Sequence, residues 1–164
     1  MSPDHVWHFL EWLHYLALGL WIGGIVFVCF MAAPAAHGSM ASKAVAGDIV
    51  SRILKRLNRM EIVCCLVLLG TTFSAFRFVS YRQAWLWGLI LAVMMMGGAS
   101  LFYAFRLGPQ MELIKERTPT FDSLSPGHAQ KKEFNRLHQF YVQLMSLNLV
   151  LGLAVLYGSV VVLK

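Results

Sequence analysis

The sequence predicts an all-α membrane fold: a bundle of four transmembrane helices, with an amphipathic interfacial helix between spans 1 and 2. Three observations carry this. The chain is 58% hydrophobic and only 13% charged, with mean hydropathy +0.62, where soluble domains run roughly 45–50% apolar and about 25% charged. Four apolar runs each reach the roughly 20 residues that cross a bilayer core. Lys and Arg gather in alternate connections, as cytoplasmic loops require. Four spans and their connections use up the 164 residues, so a single membrane domain over 1–164 is expected.

Span 1 covers about 6–33. No Lys or Arg precedes it, the apolar stretch is too long for a signal peptide, and Glu11 and His14 interrupt it. The interfacial helix covers about 41–59. Val45, Ile49, Ile53 and Leu57 recur every four residues, beside Arg52, Lys55, Arg56 and Arg59, the pattern of a helix lying on anionic headgroups. Span 2 covers about 60–79, and Ser80-Tyr81-Arg82-Gln83 is a tight connection to span 3, about 84–105. Gly108-Pro109 opens a short helix ending at Glu116, because Pro suits a first helical turn. Residues 118–129, with Pro119, Pro126 and Gly127, form a loop. Span 4 covers about 134–163, and its polar first turns project from the membrane.

The connections 33–59 and 106–136 hold five and six Lys or Arg, while the 77–82 hairpin and the termini hold Arg77, Arg82 and Lys164. The two long connections are therefore expected in the cytoplasm and both termini outside, in a bacterial inner membrane. The net charge of +6 is expected to meet anionic lipid headgroups rather than nucleic acid. Cys29, Cys64 and Cys65 all lie in apolar runs, with no disulfide framework and no zinc spacing. Gly19 and Gly23 form a GxxxG spacing, and Gly97-Gly98 sit in span 3; small residues let helices or subunits approach closely.

Ionisable groups inside a span are costly and usually functional. His14 lies about two turns into span 1, one turn beyond Glu11, and is a candidate haem or metal ligand or proton acceptor. On span 4, His138, Tyr141, Met145 and Asn148 make one stripe and Gln139, Gln143 and Ser146 another; interhelical hydrogen bonds or a polar passage would each use them. His14 and His138 fall at opposite depths, so one haem iron cannot take both. At the inner side, Cys29, Met60, Cys64 and His138 are the candidate soft-metal set, because thiolate and thioether sulfurs favour ions such as Cu(I).

Residues 14–24, reading HYLALGLWIGG, with Ala33-Pro34-Ala35 after them, resemble the first helix of a bacterial family called domain of unknown function 4149, itself similar to transmembrane protein 205. Arg106-Leu-Gly108-Pro109 and Phe134-Asn-Arg-Leu-His138 also resemble that family. More distantly, the His-x6-Trp-x2-Gly pattern from His14 to Gly24 is similar to copper-resistance D-type and HemJ-type membrane proteins; the HemJ resemblance implies His14 as a haem ligand and does not extend past Gly24. The resemblances imply soft-metal or haem handling.

The expected function is a small multi-pass membrane protein that binds or moves a metal ion or metal-containing compound, with copper or haem as the cofactor classes. An accessory subunit of a larger respiratory or photosynthetic complex is the alternative, and a haem-dependent oxidoreductase the third. Motifs for phosphate loops, nucleophilic triads and zinc hydrolases are missing, so the balance falls against an enzyme. Association as a homo-oligomer or within a larger complex is compatible with the small size.

Overall fold

The computed structural model describes residues 3–40, 42–78, 83–118, 121–125 and 127–163. The hairpin residues Ser80, Tyr81 and Arg82, together with Pro119, Pro126 and Lys164, lie outside the described residues. Helix α1 (Pro3–Phe27) runs through a π-turn (Val28–Ala32) into α2 (Ala33–Ser39). After a short extended link comes α3 (Lys43–Ala75); α4 (Gln83–Phe102) then runs through a second π-turn (Tyr103–Leu107) into α5 (Gly108–Glu116). A 3-10 turn (Phe121–Ser123) precedes α6 (Ala129–Val162). Four helical stretches, Asp4–Ser39, Val45–Ala75, Gln83–Glu116 and Ala129–Val162, are long and apolar enough to cross a membrane. The architecture is that of a multi-pass membrane protein.

Both π-turns have one cause. Pro34 and Pro109 have no N–H to donate and their rings crowd the carbonyl four residues back, which belongs to Phe30 and Phe105. Widening the turn relieves that contact, and the N–H groups of Ala33 and Gly108 donate to the carbonyls of Val28 and Tyr103, five residues back. Each helix thus continues past its proline with a shifted register. Spans 1 and 3 extend beyond the boundaries that proline suggests in the sequence.

The stretch 41–59, expected as a separate interfacial helix, has no helix-stop before Met60. Its stripe of Ile49, Ile53 and Leu57 runs on as Glu61, Cys64 and Leu68 on the same face, and 43–75 form one helix. No separate interfacial element is present among the described residues.

The four long helices pack in a ring in which α1 and α4 each touch α3 and α6. The central layer is apolar: Leu18, Trp21, Leu68, Val93, Met96 and Val155 are buried from end to end. Outward stand Leu66, Phe73, Trp85, Phe105, Val150 and Tyr157, the inversion that a hydrocarbon solvent permits. Contact distance is set by glycine at Gly97, where an added Cβ would stand 2.5 Å from Cys65 Sγ, and at Gly24, where it would stand 2.6 Å from Leu57 Cδ1. Gly19, Gly23 and Gly98 have open space instead, so the GxxxG pair makes no close approach inside the bundle.

Gly97→Val should lower stability by about 1–3 kcal/mol, the usual cost of overpacking, whereas Gly19→Ala should be neutral or gain up to about 1 kcal/mol from helix propensity. Denaturant unfolding in mixed micelles measures both; equal effects at the two sites would contradict the packing described.

Candidate functional site

The buried polar side chains fall into two layers on either side of the apolar centre. The first is built on His14, which is 1% exposed. Its Nδ1 lies 2.8 Å from Thr71 Oγ1 and its Nε2 lies 2.9 Å from Ser159 Oγ. The Thr71 hydroxyl already donates to the Val67 carbonyl at 2.9 Å. Thr71 therefore accepts from Nδ1–H, and the Ser159 hydroxyl donates to Nε2. Both ring nitrogens are satisfied in the neutral imidazole, and three helices are tied at this depth. Ligation of haem or metal by His14 would first have to break one of these bonds.

Glu11 lies one turn towards the N-terminus, half-buried, with Oε2 3.8 Å from His8 Nδ1. The face-sharing of His8, Glu11 and His14 is present, but Glu11 does not reach the His14 cluster. Arg77 is exposed, and no ion pair joins it to Glu11 among the described residues.

The second layer is built on Glu61, which is completely buried in the middle of α3. The Tyr103 hydroxyl donates to Glu61 Oε2. Tyr103, the first residue of the second π-turn, continues the buried stripe of Val93, Met96 and Ser100 and is itself fully buried. Ser100 Oγ lies 2.9 Å from Tyr103 Oη. From α6, Asn148 Nδ2 reaches the Met96 carbonyl at 3.1 Å, Ser100 Oγ at 3.1 Å and Tyr103 Oη at 3.2 Å. Glu61 Oε1 and Asn148 Oδ1 have no hydrogen-bond partner. One turn before Glu61, Asn58 Oδ1 accepts from the Tyr141 hydroxyl at 3.1 Å, and the Tyr141 ring packs on Tyr103 with centroids 4.9 Å apart. An unpaired charge in such a place costs several kcal/mol, so a carboxyl at this position is held neutral by a proton or by a small cation.

Asn58 and Tyr141 form the inner wall of a cavity of about 320 Å³ that opens at the basic end of the bundle. Its sides are apolar, from Leu54, Met111, Phe121 and Phe134. Its rim carries two ion pairs: Lys55 Nζ to Glu112 Oε1 at 2.5 Å and Lys115 Nζ to Asp48 Oδ1 at 3.3 Å. His37 and His138 also face it, and the His138 ring lies parallel to Phe134 with centroids 6.2 Å apart.

Of the soft-metal set, His138 stands in the cavity, whose lining includes none of Cys29, Met60 and Cys64. Cys29 is exposed and Cys64 is buried. Met60 packs beside Gly24. Among the described residues no group of three His, Cys, Asp or Glu side chains is placed to hold a metal ion. His14 and His138 are far apart, as their depths implied: His14 meets α6 at Ser159, roughly 30 Å along the helix from His138 at 1.5 Å per residue. Of the two α6 stripes, Tyr141, Met145 and Asn148 are buried, while Gln139, Gln143 and Ser146 are exposed.

Glu61, Asn58, Ser100 and Tyr103 were not singled out by sequence. With span 2 beginning at Met60, Glu61 reads as an end-of-helix charge beside Arg56 and Arg59. Once α3 is known to begin at Lys43, the same residue lies mid-helix on the buried face. The helical spacing that carries the face of Ile49, Ile53 and Leu57 on past Met60 to Cys64 and Leu68, with Glu61 on it, was the available signal.

The family model described as domain of unknown function (DUF4149) matches residues 16–119. No curated protein and no solved structure matches the chain.

Ser159→Ala, which leaves His14 Nε2 without its donor, should cost about 0.6–1.7 kcal/mol, the range of interhelical hydrogen bonds in membranes. A double-mutant cycle with His14→Phe, read by unfolding in bicelles, should recover that coupling. A haem Soret band in purified protein that disappears on His14→Ala would overturn the purely structural role of the imidazole.

Proposed function

The chain belongs to the DUF4149 family, and on that premise we propose that it is a solute-binding and solute-moving protein of the membrane, with the cavity at its basic end as the binding site. The family description assigns no chemistry, so the reading rests on one observation: an apolar-walled cavity of about 320 Å³, rimmed by two Lys–carboxylate pairs, that ends at a hydrogen-bonded Asn58–Tyr141 wall inside the spans. Binding sites of this kind combine apolar walls with a few convergent polar groups. The solute that fits is a small amphipathic molecule carrying both charges, because its ends can exchange partners with Lys55–Glu112 and Lys115–Asp48 while its body lies against Leu54 and Phe134. A metal ion or metal-containing compound, if that is the solute, would meet the imidazoles of His37 and His138 and the carboxylates of Asp48 and Glu112 rather than the cysteine thiols. The charge count, eleven basic residues in 33–59 and 106–136 against Arg77, Arg82 and Lys164 elsewhere, supports a cytoplasmic opening in a bacterial inner membrane.

Thermal unfolding of the protein in nanodiscs, with amino-acid-sized zwitterions, lipophilic cations and divalent or Cu(I) ions as separate arms, tests this. The zwitterion arm should stabilise the protein, by about 2.7 kcal/mol at a hundredfold excess over Kd. Leu54→Trp, which fills the cavity, should abolish the gain. Stabilisation by no arm, or stabilisation that survives Leu54→Trp, would remove the basis of this reading.

A further inference from the structure

Glu61 is the most costly side chain in the bundle to bury, and nothing in the solute cavity needs it. It is completely buried, its Oε2 accepts one hydrogen bond from Tyr103, and its Oε1 has no partner. Around it stand Ser100 and Tyr103 from the third span and Asn148 and Tyr141 from α6, with Cys64 on its own helix and the exposed Cys29 at the first π-turn within electrostatic reach. None of them is a cation. A carboxylate among these groups lacks the counter-charge that buried ions require.

The position is nevertheless close to water on one side. Asn58 stands one turn, about 4.5 Å of rise, from Glu61 on the same face of α3, and it lines the cavity together with Tyr141. Tyr141 donates to Asn58 and packs on the Tyr103 ring. The Asn58–Tyr141 pair therefore stands between the cavity and the carboxyl layer, and it meets Tyr103, the donor to Glu61, by ring contact. On the other side Leu18, Trp21, Leu68 and Val93 are all fully buried, and they separate Glu61 from the His14 layer.

We propose that Glu61 is a proton-binding site that exchanges with the basic-end cavity past Asn58 and Tyr141 and is closed toward the opposite end by the Leu18–Leu68–Val93 layer. The step is a simple protonation: a proton from cavity water adds to the carboxylate at Oε1, the oxygen without a partner, and the buried charge is cancelled. No other bond changes. The cavity serves as a route for water, whether or not it also binds a solute.

Infrared difference spectroscopy of the full chain in lipid tests the proposal. The wild type should show a protonated carboxyl C=O band that disappears on titration to alkaline pH, shifts in D2O and is missing in Glu61→Gln. Tyr103→Phe, which removes the one hydrogen-bond donor to the carboxyl, should move the band, and this assigns it to Glu61 even if Glu61→Gln fails to fold. Asn58→Leu should slow its deuterium exchange by about tenfold, roughly 1.4 kcal/mol in the barrier. A band unchanged in Glu61→Gln or in Tyr103→Phe overturns the site. A band that never exchanges with D2O overturns the route. Loss of the band on adding Na+ in place of choline at constant pH overturns the proton in favour of a metal cation. None of these readouts involves a solute, so failure of the solute reading leaves them unaffected.

Discussion

In hydrocarbon, every backbone N–H and C=O must find its partner inside the protein, because no water is present to supply one. That constraint makes the four spans helical, and it also governs how they are interrupted. A proline in such a helix releases a carbonyl that has nowhere to turn. At Pro34 and Pro109 the chain answers by widening one turn rather than stopping, so the helix direction survives and the register beyond it shifts. Tyr103, the first residue of the second π-turn, lies on the buried stripe of its span with its hydroxyl on Glu61.

The two halves of the chain repeat one plan. Each has a long span, a π-turn before a proline, a short helix and then a helix of 33 or 34 residues. Counted back from the two π-turns, the buried positions His14, Leu18, Trp21, Ile25 and Val28 correspond to Leu89, Val93, Met96, Ser100 and Tyr103. Counted back from the ends of the two long helices, Glu61, Leu68, Thr72 and Ala75 correspond to Asn148, Val155, Ser159 and Val162. The plan fixes which face of each helix is buried, whatever the side chain placed there.

Much of this could be read from the sequence, because hydrophobic length and the Lys/Arg count are direct signatures of a lipid solvent. Four helices long and apolar enough to cross a membrane are present, as the four apolar runs predicted. What escaped were the continuations. A stripe with arginines on its polar face looks the same on a helix lying at a membrane surface and on one projecting from a span, so within residues 43–59 nothing marked them as part of α3; only the continuation of their face past Met60 did. The π-turns escaped for a similar reason: a proline marks a boundary or a widened turn with the same letter. The first omission fell on the second polar layer, where Glu61 was hidden by the misplaced start of its helix. Tyr103 sits in an apolar run, where a buried ring and a lipid-facing ring carry the same signal. His14 was visible but ambiguous, since a histidine in a span carries the same signal whether it waits for a ligand or, as in this bundle, holds Thr71 and Ser159 together.

The functional asymmetry follows from where the two halves stop matching. Val28 and Ile25 in the first half are apolar where Tyr103 and Ser100 in the second carry hydroxyls, and Leu89 is apolar where the first half has His14. Polar groups are thereby concentrated in two separate layers, His14 with Thr71 and Ser159 in one, Glu61 with Tyr103, Ser100 and Asn148 in the other, with an apolar layer common to both halves between them. Had the polar substitutions coincided in register, they would have formed a continuous polar column from one face to the other. Because they do not, each layer makes its hydrogen bonds within its own depth, and the layer that contains the carboxyl adjoins the basic-end cavity through Asn58 and Tyr141. In the first layer Thr71 and Ser159 satisfy both nitrogens of the His14 imidazole and tie three helices together. The second leaves Glu61 Oε1 and Asn148 Oδ1 open, and for a buried carboxylate that open oxygen is the place where an added proton would cancel the cost of the charge.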